Sequence, residues 1–316
     1  MIFEFNSDSG FDYIQKFADE TDSVIHNNSL QIHSSIGSGF IKRIDIGLGF
    51  RILIHKYNMN ESFIIKRIAS DDQSGALTFR FINHTSSERS YLSNVQVLNN
   101  RISIDDYLQP NETVYYIIIA IEKEKLLALT ELNPAADEVI SFFDATSGPF
   151  LYQENLTFEM KNIMRELSEQ QEHANLEKLY YKTRVMDLLY LFFSRFFKRS
   201  VSGRFSANRD DIEKVIAIEK SMMQDLSIQP NLMELSSNIG MSGTKMKELF
   251  RKIFGDSIYN YYQHARMSEA ASLLKNNKDL SVSDIGYSLG FSNMSHFSKI
   301  FKKHIGANPK EYAINS

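Results

Sequence analysis

Hydrophobic positions change their period twice along the chain. Up to about residue 150, short apolar runs alternate with polar positions and are broken by Gly, Asn, Asp and Ser. Phe40, Ile41, Ile44 and Ile46 belong to one run; Ile52, Leu53 and Ile54 to a second; Leu77, Phe79, Phe81 and Ile82 to a third; Val114 through Ile118 to a fourth. Period-2 runs in succession predict strands, and several strands predict a β-barrel or sandwich. One stretch departs from this near the start, where Phe11, Ile14, Phe17 and Ala18 recur at helical spacing. Residues 156–198 contain no Gly or Pro and read as helices. Leu156, Met160, Ile163, Met164 and Leu167 mark one apolar face; Leu176, Leu179, Tyr180, Val185, Met186, Leu189, Phe192, Phe193 and Phe196 mark a second. These faces fit packing on the sheet, a dimer contact, or both. Residues 198–208 are basic and contain Ser and Gly, the composition of a linker.

From about Arg209 onward the chain repeats itself with an offset of about 50 residues. Leu235 and Ile239 precede Gly240 in the first copy, as Ile285 and Leu289 precede Gly290 in the second. Each glycine sits where a helix C-terminus wants a residue tolerant of positive φ. Ser242, and either Ser292 or Asn293, are natural N-caps for a longer helix that follows. Met246, Leu249, Phe250 and Ile253 form the inward face of that helix in the first copy; Phe297, Ile300, Phe301 and Ile305 do so in the second. Gly255 and Gly306 close the copies, and residues 258–274 read as one connecting helix. A short helix, a tight turn and a capped second helix make a helix-turn-helix, twice. Arg266, within the connecting helix, is placed to bridge the two halves. Phe250, Phe291, Phe301 and Tyr312 read as core.

The whole reads as an α+β chain in three parts: a β-rich sensor or regulatory domain over 1–150, a helical linker and dimerisation region over 151–208, and an all-α domain with two helix-turn-helix units over 209–316. A length of 316 residues suits two cores better than one. The net charge of −4 is unevenly spread: residues 231–316 carry 11 Lys and Arg against 7 Asp and Glu, leaving 24 against 32 before them. A basic end on an acidic body suits a nucleic-acid module attached to one that does not bind it. No cysteine occurs, which excludes disulfides, thiolate metal sites, iron–sulfur clusters and cysteine nucleophiles. His26, His33, His55 and His84 show no His-x-His pair followed by Glu, so neither a metal nor a cofactor is expected. Phe50, Tyr57, Phe63, Phe79, Phe81, Tyr115 and Tyr116 are candidates for a pocket wall or, for most of them, sheet core. The start lacks a signal-peptide pattern and the longest apolar run, residues 114–121, is too short for a spanning helix, so a cytoplasmic location without membrane attachment is expected.

Residues 209–312 resemble the DNA-binding domain of the AraC/XylS family of bacterial regulators. The resemblance is carried by Tyr261, Arg266, Met267, Ala270, Leu273 and Leu274, then by residues 281–286, Gly290, Phe291 and residues 297–303, and closes with residues 306–312. Ala313 departs from it, since the family often has Arg there. The resemblance implies that Thr244, Lys247 and Glu248 face bases, Lys donating to guanine and Glu accepting from the cytosine amino group. Lys245 is exposed beside them. In the second copy the comparable positions are Met294, Ser295, His296, Ser298 and Lys299. Arg251, Lys252, Lys302 and Lys303 lie further along and suit phosphate. Glu248 has a rival role as a local partner of Lys245, Arg251 or Lys252. The resemblance further implies a transcription regulator, not an enzyme: an activator binding promoter DNA, contacting RNA polymerase, forming a homodimer and controlled by a small-molecule effector in the front domain. The alternative is a constitutive regulator without an effector. An enzyme fused to such a module is the rival class; the methyl-accepting repair enzymes that carry one need a cysteine. Residues 38–52 with Pro149 and Phe150 resemble the sensor domain of siderophore-responsive members, which implies a cupin-like barrel.

Overall fold

The computed structural model describes residues 1–7, 13–47, 49–71, 76–84, 92–169, 174–198, 207–277 and 279–315. Phe11 and residues 199–206 of the expected linker lie outside the described residues. The chain divides into two compact units, residues 1–83 with 94–212, and residues 84–93 with 213–316.

The first unit contains eleven strands and five helices among the described residues. They are β1 (Ile2–Asn6), α1 (Tyr13–Thr21), β2 (Val24–His26), β3 (Ser29–Gln31), β4 (Gly37–Ile44), β5 (Arg51–Met59), β6 (Phe63–Ile68), β7 (Ala76–His84), β8 (Asn94–Asn99), β9 (Ile104–Leu108), β10 (Thr113–Glu122), α2 (Lys123–Thr130), α3 (Asp137–Ala145), β11 (Leu151–Asn155), α4 (Phe158–Ser168) and α5 (Glu177–Phe196). The four apolar runs fall in β4, β5, β7 and β10, and the early helical spacing falls in α1, whose Ile14, Phe17 and Ala18 are buried.

The strands form an open eight-stranded sheet in the order β11-β8-β7-β10-β5-β4-β3-β2 and a three-stranded sheet in the order β1-β6-β9. The expected cupin-like barrel is therefore corrected, since among the described residues no pairing joins the end strands β11 and β2. Closure needs a full-length seam of hydrogen bonds at matched tilt and shear. Strands β2 and β3, with three residues each, are too short to supply one. A second correction concerns α2 and α3, which interrupt a region that reads as strands and one helix. The large sheet also continues past residue 150, because β11 pairs with β8 from Leu151↔Leu98 to Asn155↔Asn94.

Strand β7 shows how the sheet is covered. All of its residues except Asn83 are buried, so both faces are occupied. Phe79 on one face meets Phe192 and Phe193 of α5, with ring centroids 5.3 and 5.9 Å away and steep interplanar angles. Thr78 and Arg80, one residue out of phase, point to the other face as the period of 2 requires. The α5 stripe is thus split. Val185, Leu189, Phe192, Phe193 and Phe196 are buried, whereas Leu176 and Leu179 stay 54% and 59% exposed.

The second unit holds most of α6 (Arg209–Gln224), followed by α7 (Leu232–Asn238), α8 (Gly243–Phe254), α9 (Ile258–Asn276), α10 (Val282–Ser288), α11 (Met294–Ile305) and α12 (Pro309–Asn315). Helix α9 is buried on several sides. Its Tyr262, Ala265, Met267, Ala270 and Leu274 join Ile285, Leu289, Phe291, Phe297 and Phe301 in one core. No helix among the described residues is long and apolar enough to cross a membrane.

Candidate nucleic-acid interface and interior pocket

The two copies of the repeat fold into two helix pairs, α7–α8 and α10–α11, and their ends are fixed by the side chains that the sequence points to. The Ser242 hydroxyl accepts from the Lys245 amide at the start of α8. At the start of α11 the cap is Asn293, whose Oδ1 accepts from the His296 amide at 3.0 Å, so Ser292 is not the cap. Ser281 and Asp284 close a reciprocal capping box on α10. Both long helices end on a left-handed glycine, Gly255 and Gly306. In the second turn Gly290 has φ +77°, and a Cβ there would stand 2.1 Å from the Ser227 carbonyl oxygen. Only glycine satisfies both demands.

With their ends set, the helices bury one face and expose the other. In α8, Met246, Leu249, Phe250, Ile253 and Phe254 are buried. Thr244, Lys247, Glu248 and Arg251 recur at i, i+3, i+4 and i+7, and all are exposed. Shifted by 51 positions, the corresponding residues of α11 are Ser295, Ser298, Lys299 and Lys302; Ser298 is half-buried and the others are exposed. Lys245 and His296 are exposed at matching positions, as is Lys303, whereas its counterpart Lys252 is half-buried. Met294 differs from the rest. It is half-buried against the second core, and its Sδ lies where a Cβ on Gly286 would meet it at 2.7 Å. Ile300 and Ile305, expected inside, are half-buried at the core edge. Glu248 lies exposed on the same face as Thr244, Lys247 and Arg251.

Helix α9 anchors the second pair through Arg266, which is 4% exposed. Its Nε donates to the Leu289 carbonyl at 2.7 Å, Nη2 donates to the same oxygen, and the guanidinium lies 3.7 Å from the Phe291 ring centroid. A cation is thus placed on the C-terminal carbonyl of α10, where it is favourable. The expected bridge between halves is corrected to this extent: these contacts all go to the second pair. Burial lowers the Arg266 pKa. Two tyrosines tie α9 to the segment before α7. The Tyr262 hydroxyl donates to the Leu226 carbonyl at 2.8 Å, and that of Tyr261 donates to Glu219 Oε1 at 2.9 Å. Burial pushes the Glu219 carboxyl up to about 7, against a smaller opposing effect of the Tyr261 hydrogen bond.

A family of helix-turn-helix domains matches residues 235–314, from α7 to α12. Residues 235–314 are a helix-turn-helix domain. This domain is similar to the probable transcription factor PqrA of Proteus vulgaris, 32% identical over 81 residues that cover 26% of this chain and 66% of that protein. It is also similar to the arabinose operon regulatory protein of Escherichia coli (strain K12), 28% identical over 82 residues, 26% of this chain and 28% of that protein. The chain spans less than a third of the arabinose regulators it matches. Among solved structures, ToxT from Vibrio cholerae aligns over 84% of this chain and 98% of its own at 16% identity, with a TM-score of 0.30. Within the helix-turn-helix domain, α8 and α11 each expose polar and cationic residues along one face.

The first unit, taken by itself, holds a pocket of about 830 Å3 when the open space at its mouth is counted in. Its floor is one face of the large sheet, with Arg51, His55 and Tyr57 of β5, Tyr116 and Ala120 of β10, and Thr78 and Arg80 of β7. Register explains the grouping: His55 pairs with Tyr116 and with Ile41, and Arg51 pairs with Ala120. The roof comes from the small sheet and α1, including Phe3, Phe5, Tyr13, Ile65, Arg67 and Asp106. His55 sits between hydroxyls, Tyr13 at 3.3 Å from Nε2 and Tyr57 at 3.5 Å from Nδ1. Burial, reinforced by Arg80, lowers its pKa to about 3 and keeps it neutral. Arg80 donates to Gln96 Oε1 at 2.8 Å and forms a buried ion pair with Asp106. Of the aromatic candidates Tyr57 and Tyr116 line the pocket, while Phe50, Phe63, Phe79 and Phe81 are buried outside its lining. The arginines escape the sequence reading. The available signal is a cation at inward parity in an apolar strand, as in Phe79-Arg80-Phe81.

Proposed function

We propose that this chain is a DNA-binding transcription regulator in which α7–α8 and α10–α11 act as two helix-turn-helix units, with α8 and α11 reading neighbouring major grooves. The observation that carries this reading is the repeated exposed face, Thr244, Lys247, Glu248 and Arg251 in α8 against Ser295, Ser298, Lys299 and Lys302 in α11. Both sets follow a capped helix start, the end a recognition helix presents to base edges. Lys247 and Glu248 serve as base readers, while Arg251, Lys252, Lys302 and Lys303 hold phosphates. Ser295, His296 and Lys299 take the matching role in α11, and Met294 supports that helix from beneath. Nineteen residues of α9 span roughly 28 Å at ~1.5 Å per residue, a length suited to two helices one DNA turn apart. Residues 209–316 form the DNA-binding part, and 1–150 with the helices of 151–208 the regulatory part.

The relatives named as operon regulators support a promoter as the target, and a relative named as a transcriptional activator supports that role, to which contact with RNA polymerase would belong. The interior pocket favours control by a small-molecule effector over constitutive binding. Ile41 and Arg51, within the stretch that resembles siderophore-responsive sensors, line that pocket. Exposed Leu179 and Tyr190 on α5 support contact with a second copy of the chain. The test is selection of duplexes from random DNA by the full-length chain. Enrichment of a site with two half-elements, bound with a steep salt dependence, is the expected result. Recovery of no preferred sequence, with and without a bound effector, contradicts the reading.

A further inference from the structure

The pocket is lined by a guanidinium that forms no ion pair among the described residues. Arg67 is 7% exposed. Its Nη1 donates to the carbonyls of Ile102 at 2.7 Å and Asn99 at 3.4 Å, and its Nη2 donates once, to Asn100 Oδ1 at 3.0 Å. A guanidinium has five N–H groups. The Nε–H and the second Nη2–H therefore have no acceptor among the described residues, and no carboxylate pairs with Arg67 there. The neighbouring buried cation, Arg80, is paired with Asp106, so that couple is neutral. His55 is neutral, and burial holds the hydroxyls of Tyr13, Tyr57 and Tyr116 protonated. The lining thus presents the Arg67 guanidinium with no carboxylate paired to it among the described residues. A buried charge without a partner is costly, and a matching anion relieves that cost. Burial, with Arg80 nearby, lowers the Arg67 pKa to about 9, which leaves it charged at neutral pH.

We infer that the pocket takes a monocarboxylate with a flat apolar body, its carboxylate held by the Nε–H and Nη2–H of Arg67. A buried guanidinium without a paired carboxylate calls for an anion, and two adjacent N–H groups match the two oxygens of one planar carboxylate. Aromatic rings set the shape of the remainder: Phe5 lies stacked on Tyr13 at 4.3 Å, and both line the pocket beside Phe3 and Ile65. This inference rests on the effector reading proposed above and assigns the chemical class of that effector.

The test is calorimetric titration of the full-length chain, without DNA, with benzoate, cinnamate and 2-naphthoate and with their neutral amides. The expected result is that at least one carboxylate binds tenfold or more tighter than its amide. Arg67→Met is expected to erase that preference, and Arg67→Lys, which keeps the charge but loses the fork, to reduce it. If the methionine variant does not fold, hydrogen exchange of the unmodified chain decides instead. The carboxylate is expected to slow exchange in residues 1–7 and 63–68 where the amide does not. Equal binding of acid and amide, or no binding of any acid at millimolar concentration, overturns the inference. A carboxylate that binds at Arg67 but leaves DNA affinity unchanged supports the anion site and overturns the effector reading alone.

Discussion

Two polar residues, the buried Arg266 and the half-buried Glu219, bear on the stability of the second unit. Arg266 places its charge on the Leu289 carbonyl and its plane on Phe291. Its replacement by Met leaves that carbonyl without its donor and removes the stacked cation; a loss of about 2–4 kcal/mol is expected in urea unfolding, with less than half recovered by Lys. Glu219 affects stability in the opposite sense from a carboxylate whose pKa is lowered on folding. Its folded pKa of about 7 lies above the ordinary glutamate value of 4.5, so the stability it contributes is complete below the lower value and is lost as pH rises through the upper one. Between pH 5 and pH 8 the domain is expected to lose about 1–2 kcal/mol, after discounting for partial exposure. Glu219→Gln is expected to flatten that loss in melts followed across pH. These two residues also mark the limit of local pattern. Arg266 is recognisable as structural from its place in a helix, but its partner Leu289 lies 23 positions away and the partner of Glu219 lies 42 away.

At the scale of elements, the turns and the exposed helix faces carry separate predictions. Gly290→Ala meets both a positive φ and the Ser227 carbonyl, and a destabilisation of about 2–4 kcal/mol is expected from thermal melts. The face of α8 is expected to divide by role. Glu248→Ala relaxes discrimination at one base pair by about 1–3 kcal/mol in competition binding, while Lys302→Ala in α11 weakens all sequences alike and lowers the salt slope by about one. Helices α8 to α11 were legible because caps, period and glycines all point to the same ends. The sheet was less so. Runs such as those of β5 and β10 announce strands, but the parallel pairing of β1 with β6 joins positions 62 apart, and no local signal encodes it. Helices α2 and α3 were missed for a related reason. The charged start of α2 and the short apolar run of α3 do not outweigh the strands around them. Leu176 and Leu179 carry helical period yet stay exposed, because period tells which residues share a face and not whether a partner covers it.

Across the molecule, the sequence separates the helix-turn-helix end from the β-rich part more clearly than it describes the β-rich part. The basic balance of residues 231–316 and the repeated helix pairs mark one end as the part that meets DNA, whereas the pocket is assembled by sheet register from residues as distant as Phe3 and Ala120. Arg67 and Arg80 illustrate why it stayed hidden: in sequence they look like ordinary strand cations, and only the stacking of two sheets places them inside. The central claim is that one chain reads two grooves. Hydroxyl-radical footprinting of the full-length chain on its selected site tests it directly. The account predicts two protected windows about 10 base pairs apart, with loss of one window when Lys247 and Arg251 are replaced by Ala and loss of the other for Lys299 and Lys302. A single window, or two windows that disappear together in either variant, would contradict it.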